Sequence, residues 1–196
     1  MWMGSLEKGR VMNMEQKNVV WKKVVTIGLI GIMTLMSVAC GKKETASKEV
    51  ELATVVDAVK KAYGDDYLPD TEVDKDMLAE RYGVTEDMYE EAYAQIPMIS
   101  VNIDTLIAVK CKDGKQQDVV DALKKYQENL KNDSLQYPTN AVKTQASRII
   151  EKDGYVFFVK LGVIPMDVEE QGDEAILKKS EENNDIAQKV IDELFQ

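Results

Sequence analysis

The segment SRIIEKDGYVFFVKL, residues 147–161, decides the architecture of the sheet. Two runs rich in β-branched and aromatic residues, 147–152 and 155–161, flank Asp153-Gly154, a favoured two-residue hairpin turn. The second run is apolar at successive positions rather than at alternate ones, which is typical of a strand covered on both faces. The segment therefore predicts a β-hairpin whose second strand lies inside a sheet.

The chain before the hairpin predicts a strand followed by a helix. Residues 99–111 (ISVNIDTLIAVKC) alternate like a strand, and residues 116–131 form the most regular amphipathic helix pattern in the chain. Tyr137-Pro138 ends this helical region, and a further short helix is expected at 140–146. A β-α-β-β unit of this kind resembles part of a ferredoxin-like sandwich. The apolar face of the predicted strand consists of Val101, Ile103, Ile107, Val109 and Cys111.

Helical patterns surround this unit on both sides. Before it, residues 49–63, 74–82 and 86–95 are expected to form helices, the last of them capped by Thr85. After it, the charged residues 169–196 are also expected to be helical, with Asn183-Asn184 as a candidate interruption. This order of elements predicts an α+β fold: a small antiparallel sheet with helices on one face, preceded by N-terminal helices and followed by a C-terminal helix.

The N-terminal region carries a separate signal. Residues 24–39 form an apolar run of 16 residues without a charge, shorter than the roughly 20 that a membrane-spanning helix needs. Lysines precede the run and small residues end it directly before Cys40, which is the pattern of a secretory signal with its cleavage site. The segment resembles a bacterial lipoprotein signal, although Ser37 stands where that signal prefers leucine. The resemblance implies cleavage before Cys40 and attachment of a diacylglyceryl group to its thiol.

We therefore expect residues 1–40 to be a lipoprotein signal peptide, 41–48 a flexible tether, and 49–196 a single domain. Two acyl chains would hold this domain stably on the outer, extracytoplasmic face of the cell membrane. The alternative is an uncleaved membrane anchor, in which Cys40 is an ordinary thiol. Three methionines remain open as the true start: Met1, Met12 and Met14.

Composition excludes several function classes. Five basic and two acidic residues lie in residues 1–40, so the remainder carries 20 basic and 33 acidic residues and a formal charge of −13. This charge argues against nucleic-acid binding, which needs a basic surface. The chain has no histidine, which excludes His-activated nucleophiles and the usual zinc-hydrolase ligand sets, and the sequence indicates no cofactor. Cys111 is the one thiol left if Cys40 is acylated, and its strand position predicts a buried, unreactive side chain.

Aromatic and acidic residues in two loops are the candidates for a binding surface. Tyrosine and proline in loops often form such surfaces. The alternative is that Tyr63 and Tyr67 cap the core with their hydroxyls outward. A loose calcium site in the acidic run 65–76 is a further alternative, although the run lacks the glycine and the final glutamate of an EF-hand loop. The candidate residues are Tyr63, Asp65, Asp66, Tyr67, Pro69 and Tyr137.

Several short phrases of the domain resemble one known family. They are YGDDYLP at 63–69, PMISV at 97–101, VK and KDG at 109–114, QYP at 136–138 and GYVFF at 154–158. Together they resemble the bacterial lipoproteins grouped as the domain of unknown function 4358. The resemblance covers about residues 50–162 and leaves a helical extension at 163–196 outside. It implies the lipoprotein character and the extent of the domain, and it implies no activity and no catalytic residues.

Three functions are open at this point. The first is a non-catalytic binding or interaction module at the cell envelope, attached to the membrane through lipidated Cys40 and contacting an envelope protein or wall component. The second is a small cell-wall hydrolase that uses paired carboxylates. The third is a solute-binding lipoprotein, for which one domain of this size is small. The missing histidine and the absence of a catalytic motif favour the first function.

Overall fold

The computed structural model describes residues 49–99 and 101–196, which belong to one compact unit. Within these residues the sheet has five strands, and every neighbouring pair is antiparallel. The strands are β1 (Thr71–Glu72), β2 (Tyr89–Ile96), β3 (Thr105–Cys111), β4 (Arg148–Lys152) and β5 (Tyr155–Lys160).

The predicted hairpin is confirmed. Lys152 of β4 faces Tyr155 of β5 across the two-residue turn, and Gly154 in that turn has a φ of +88°, which glycine adopts without steric cost. The strand order is β1-β2-β3-β5-β4, so β5 lies inside the sheet as its two apolar faces predict. Because β5 separates β3 from β4, the β-α-β unit is split by a strand, as in half of a ferredoxin-like fold.

Six α-helices accompany the sheet in the described part of the chain. The helices predicted at 49–63, 74–82 and 116–131 are confirmed and differ from the structure only at their ends. Asp74 caps the second helix, because its carboxylate accepts a hydrogen bond of 2.8 Å from the backbone N–H of Met77. The helices are α1 (Leu52–Tyr63), α2 (Lys75–Tyr82), α3 (Gln116–Asn132), α4 (Pro138–Gln145), α5 (Met166–Glu169) and α6 (Asp173–Leu194), with a 3-10 turn at Gly64–Asp66.

The predicted α+β fold with an antiparallel sheet and a C-terminal helix is confirmed, but helices cover both faces of the sheet instead of the one face expected. Helices α1 and α6 pack with Leu106 and Phe157 on one face, while α2 and α3 pack with Ile107 and Phe158 on the other. The reason is that β3 and β5 are apolar on both faces. A strand of this kind loses the hydrophobic stabilisation of one face unless both are covered.

The predicted helix over residues 86–95 is also wrong, because β2 occupies Tyr89–Ile96. Its residues pair with β3 from Tyr89 opposite Cys111 to Gln95 opposite Leu106. Glutamate, alanine and glutamine favour a helix in isolation, but pairing along an apolar central strand overrides that preference. Thr85, expected as a helix cap, instead donates a hydrogen bond of 2.5 Å to Asp87 in the turn before β2.

Two further boundaries differ from the predictions. The strand expected at 99–111 begins only at Thr105, because Asn102 and Asp104 hold the chain in a turn in which the N–H of Asp104 donates to Asn102 Oδ1 at 2.8 Å. The expected interruption at Asn183-Asn184 is absent from α6, since both side chains are buried and bind backbone groups outside the helix. Buried asparagines with satisfied amides are compatible with an unbroken helix.

Residues 1–48 lie outside the described residues, and with them the signal-peptide, tether and Cys40 predictions. Across the ranges that the structure does describe, every helix is too short or too polar to cross a bilayer.

Candidate functional site

Three loops and the start of α4 meet at one end of the sheet. Asp70 Oδ1 accepts a hydrogen bond of 2.7 Å from the backbone N–H of Met98, which ties the link after α1 to the loop before β3. Asn140 Nδ2 donates to the carbonyl of Val101 at 3.0 Å, which ties that loop to α4. The loop after β5 is joined through Gly162, whose carbonyl accepts from Lys143 Nζ at 2.5 Å.

This end of the domain exposes an unusual number of large apolar side chains. Met98 and Met166 are 77% and 76% exposed, and Ile99, Tyr137 and Val101 are 69%, 65% and 56% exposed. Single exposed apolar residues are normal on a protein surface, but a group of them indicates an interaction site. We call this group, completed by Leu68 and Val163 at its centre, the loop face.

A cavity of about 190 Å³ opens in the middle of the loop face. Its lining is mixed: aliphatic side chains form one wall, asparagine and threonine side chains supply hydrogen-bonding groups, and one carboxylate stands among the lining residues. A buried lysine also lines it. The lining residues are Leu68, Val101, Asn102, Thr139, Asn140, Lys143, Val163, Ile164 and Glu169.

The ammonium of Lys143 forms a buried ion pair with Asp104 Oδ1 behind this cavity. Asp104 is fully buried and Lys143 is 6% exposed. The second oxygen of Asp104 accepts from the backbone N–H of Gly162 at 2.9 Å. Burial is the larger effect on this carboxyl and raises its pKa, against the opposite effects of the Lys143 ammonium and the Gly162 N–H. The pair therefore fixes the loop after β5 against α4.

Lys160 is a second buried lysine near the pair, only 1% exposed at the end of β5. Among the described residues its ammonium has neither a hydrogen bond nor an ion pair. Burial lowers the pKa of Lys160 to about 7, and the positive charge of Lys143 acts in the same direction. The carboxylate of Asp104 is paired with Lys143 alone, and its charge only opposes the decrease in the pKa of Lys160.

Gly162 is positioned so that no larger residue fits. Its φ is +96°, and a Cβ built there would lie 2.6 Å from Cγ of Asn183. We expect Gly162→Ala to lower the free energy of unfolding by about 2–3 kcal/mol, measured by urea denaturation, since strain and a steric clash add. Gly154→Ala is the matched control, because Gly154 also has a positive φ but open space around it, and it should cost about 1 kcal/mol. Equal losses for the two variants would contradict the clash.

The six residues predicted as a binding surface differ in their exposure. Tyr63 is buried, and its hydroxyl points inward and donates to the carbonyl of Asn183 at 2.6 Å. Tyr67 is half-buried beside Tyr63 and donates to Gln95 Oε1 at 3.2 Å, and Pro69 is buried. Asp65, Asp66 and Tyr137 are exposed, and Tyr137 adjoins the cavity residues of α4.

The structure adds residues that sequence reasoning missed. Ile99 and Val101 belong to the strand predicted at 99–111, whereas in the structure they are exposed in a loop together with Met98. The lysines Lys143 and Lys160 were not singled out. The sequence does contain a signal for Lys160. This lysine lies between Val159 and Leu161 in a strand that is apolar on both faces, so neither face gives its side chain free access to solvent.

The opposite end of the sheet carries a polar cleft of about 440 Å³ around Lys110. Lys110 Nζ lies 2.7 Å from Glu49 and 3.2 Å from Glu90. The hydrogen bond and charge of Lys110 lower the pKa of Glu49. A general acid for glycoside cleavage needs a raised carboxyl pKa, so Glu49 has the opposite property.

The remaining chemical candidates are accounted for by their contacts. Cys111 is buried as predicted, and burial raises the pKa of its thiol to about 11. In the acidic run, Asp70 and Asp74 bind backbone N–H groups. Across residues 49–99 and 101–196, no three side chains of the metal-binding types lie close enough together to share a metal ion.

Comparison with known proteins adds one match. The family model described as Domain of unknown function (DUF4358) matches residues 62–161, just over half of the 196 residues. No protein of curated function and no solved structure matches the chain. The matched segment runs from the end of α1 to the residue after β5, and it contains Asp104, Lys143 and most of the cavity lining. The chain therefore belongs to the DUF4358 family.

Proposed function

We propose that the protein is a lipid-anchored, non-catalytic binding module on the outer face of a bacterial membrane, and that it contacts an envelope partner through the loop face. The observation that carries this proposal is the group of apolar side chains exposed together at one end of the sheet. Desolvating such residues in an interface is favourable, because each removes apolar area from water.

The point at which the domain would be tethered supports the proposal. Glu49 pairs with Lys110, and the hydroxyl of Tyr155 donates to the carbonyl of Val50 at 2.7 Å, so the chain enters at the end of the sheet opposite the loop face. The seven residues of β3 between these ends span about 20 Å. A short tether at 41–48 attached to a lipidated Cys40 would leave the loop face directed away from the membrane.

The test is photo-crosslinking in living cells with a benzophenone amino acid at Met98 or Met166. We expect each position to give the same discrete crosslinked species, because both side chains lie on the loop face. The matched control is the same amino acid at Lys124, which is exposed on α3 away from the loop face and should give no such species. Crosslinks that are equally strong from Lys124 would overturn the assignment of the surface.

A Cys40→Ala variant separates anchoring from binding. We expect it to lose incorporation of labelled palmitate, to retain its precursor mass and to lose the Met98 crosslink. If Cys40→Ala still incorporates palmitate, the proposed lipoprotein anchor is wrong. If it loses the palmitate yet keeps the crosslink, binding does not depend on the anchor.

A further inference from the structure

The size of the cavity on the loop face limits what it can hold. Sites for small molecules usually enclose about 300–1,000 Å³. The cavity here measures about 190 Å³, which suits a single aliphatic side chain better than a whole metabolite. Its apolar wall, formed by Leu68, Val101, Val163 and Ile164, matches such a side chain in character.

Lys143 gives the cavity a directed polar contact. A lysine ammonium has three N–H donors, and Lys143 uses one on Asp104 and one on the carbonyl of Gly162. The third has no acceptor among the described residues, and Lys143 lines the cavity. Because Asp104 already neutralises the ammonium, a neutral carbonyl oxygen completes its hydrogen bonding without adding an unpaired charge.

The rim of the cavity is acidic. Glu169 lines it without an ion pair among the described residues, and Asp167 and Glu170, which are close to Glu169 in the sequence, are also exposed. The formal charge of −13 on residues 41–196 disfavours a second copy of this chain or an anionic lipid surface as the occupant. A partner with positive charge is complementary to this rim.

Resting on the proposed function, we infer that the cavity receives an extended segment of a partner protein. One aliphatic side chain fills the cavity, a main-chain carbonyl next to it accepts a hydrogen bond from Lys143, and a neighbouring lysine or arginine pairs with Glu169. The exposed methionines at 98 and 166 flank the segment and adapt to its shape, since methionine side chains are flexible.

The test pans a phage-displayed library of random peptides against the full-length protein in detergent micelles. We expect the enriched peptides to share a large aliphatic residue with a lysine or arginine close to it. Affinity is then measured by fluorescence anisotropy with one enriched peptide. Val163→Phe, which fills the cavity, should weaken binding at least about thirtyfold. The control Ile186→Phe should leave binding unchanged, because Ile186 is 36% exposed against 37% for Val163 but lies outside the cavity lining.

A charge exchange tests the basic partner residue. Glu169→Lys should weaken binding about three- to tenfold, and replacing the basic residue of the peptide by glutamate should restore it with this variant. Glu128→Lys, an equal charge change on exposed α3, should have no effect. Enriched peptides without the shared pattern, or binding that is indifferent to Val163→Phe, would overturn the inference. The proposed function would survive that result if the Met98 crosslink in cells persists, and it fails separately if that crosslink is absent.

Discussion

Replacing Lys143 by methionine should lower the free energy of unfolding by about 3–5 kcal/mol, which is the usual cost of leaving one partner of a buried ion pair alone. Asp104 is fully buried, and without Lys143 its carboxylate would keep one hydrogen bond among those described, from the N–H of Gly162. The loop after β5 would also lose the bond of Lys143 to the carbonyl of Gly162. Urea denaturation of the two proteins at neutral pH measures the difference.

A second variant distinguishes the lost charge balance from a simple packing defect. In Lys143→Met/Asp104→Asn both charges are gone, while the asparagine oxygen can still accept from the N–H of Gly162. Replacing both members of a buried ion pair by uncharged residues often leaves the free energy of unfolding nearly unchanged. This double variant should therefore recover most of the loss. A double variant as unstable as Lys143→Met alone would show that the methionine does not fit the site, and that the ion pair is not the cause.

The sequence predicted the local elements of the fold well because their signals are local. The two-residue turn at Asp153-Gly154 and the stripe of α3 each require only neighbours within a few residues. Strand β2 could not be predicted in this way. Tyr89 and Tyr93 stand four residues apart among good helix formers, and the strand exists because non-local pairing with β3 outweighs that preference.

The candidate site escaped prediction for a related reason. Residues 99–103 alternate like the strand that follows them, yet Asp104 turns the chain through its bond to Asn102 and through an ion pair with Lys143, which is 39 residues away. A side chain that bonds its own backbone neighbourhood competes with sheet pairing. The exposed apolar residues of the loop face therefore looked like the inward face of a strand. Their exposure depends on a contact that no short window of sequence contains.

Lys160 produces the second large expected effect, a stability that rises with pH. In the folded protein the pKa of Lys160 is lowered to about 7 by burial, with Lys143 and Arg81 adding to the decrease and Asp104 opposing it. An unfolded lysine has a pKa of about 10.4. Between these two values the unfolded chain binds more protons than the folded one, so the contribution of Lys160 to stability increases with pH across this window and is least favourable below about pH 7.

Lys160→Met should remove this dependence, because methionine has similar length and no charge. At about 1.4 kcal/mol per pKa unit, the variant should be more stable than the wild type by roughly 4–5 kcal/mol at pH 6, and the difference should shrink towards zero near pH 10.5. Urea denaturation of both proteins from pH 6 to about pH 10.5 measures this. Subtracting the two curves cancels the titration of groups that do not interact with Lys160. A difference that stays constant with pH would mean that Lys160 remains protonated when folded, and that Asp104 neutralises it together with Lys143.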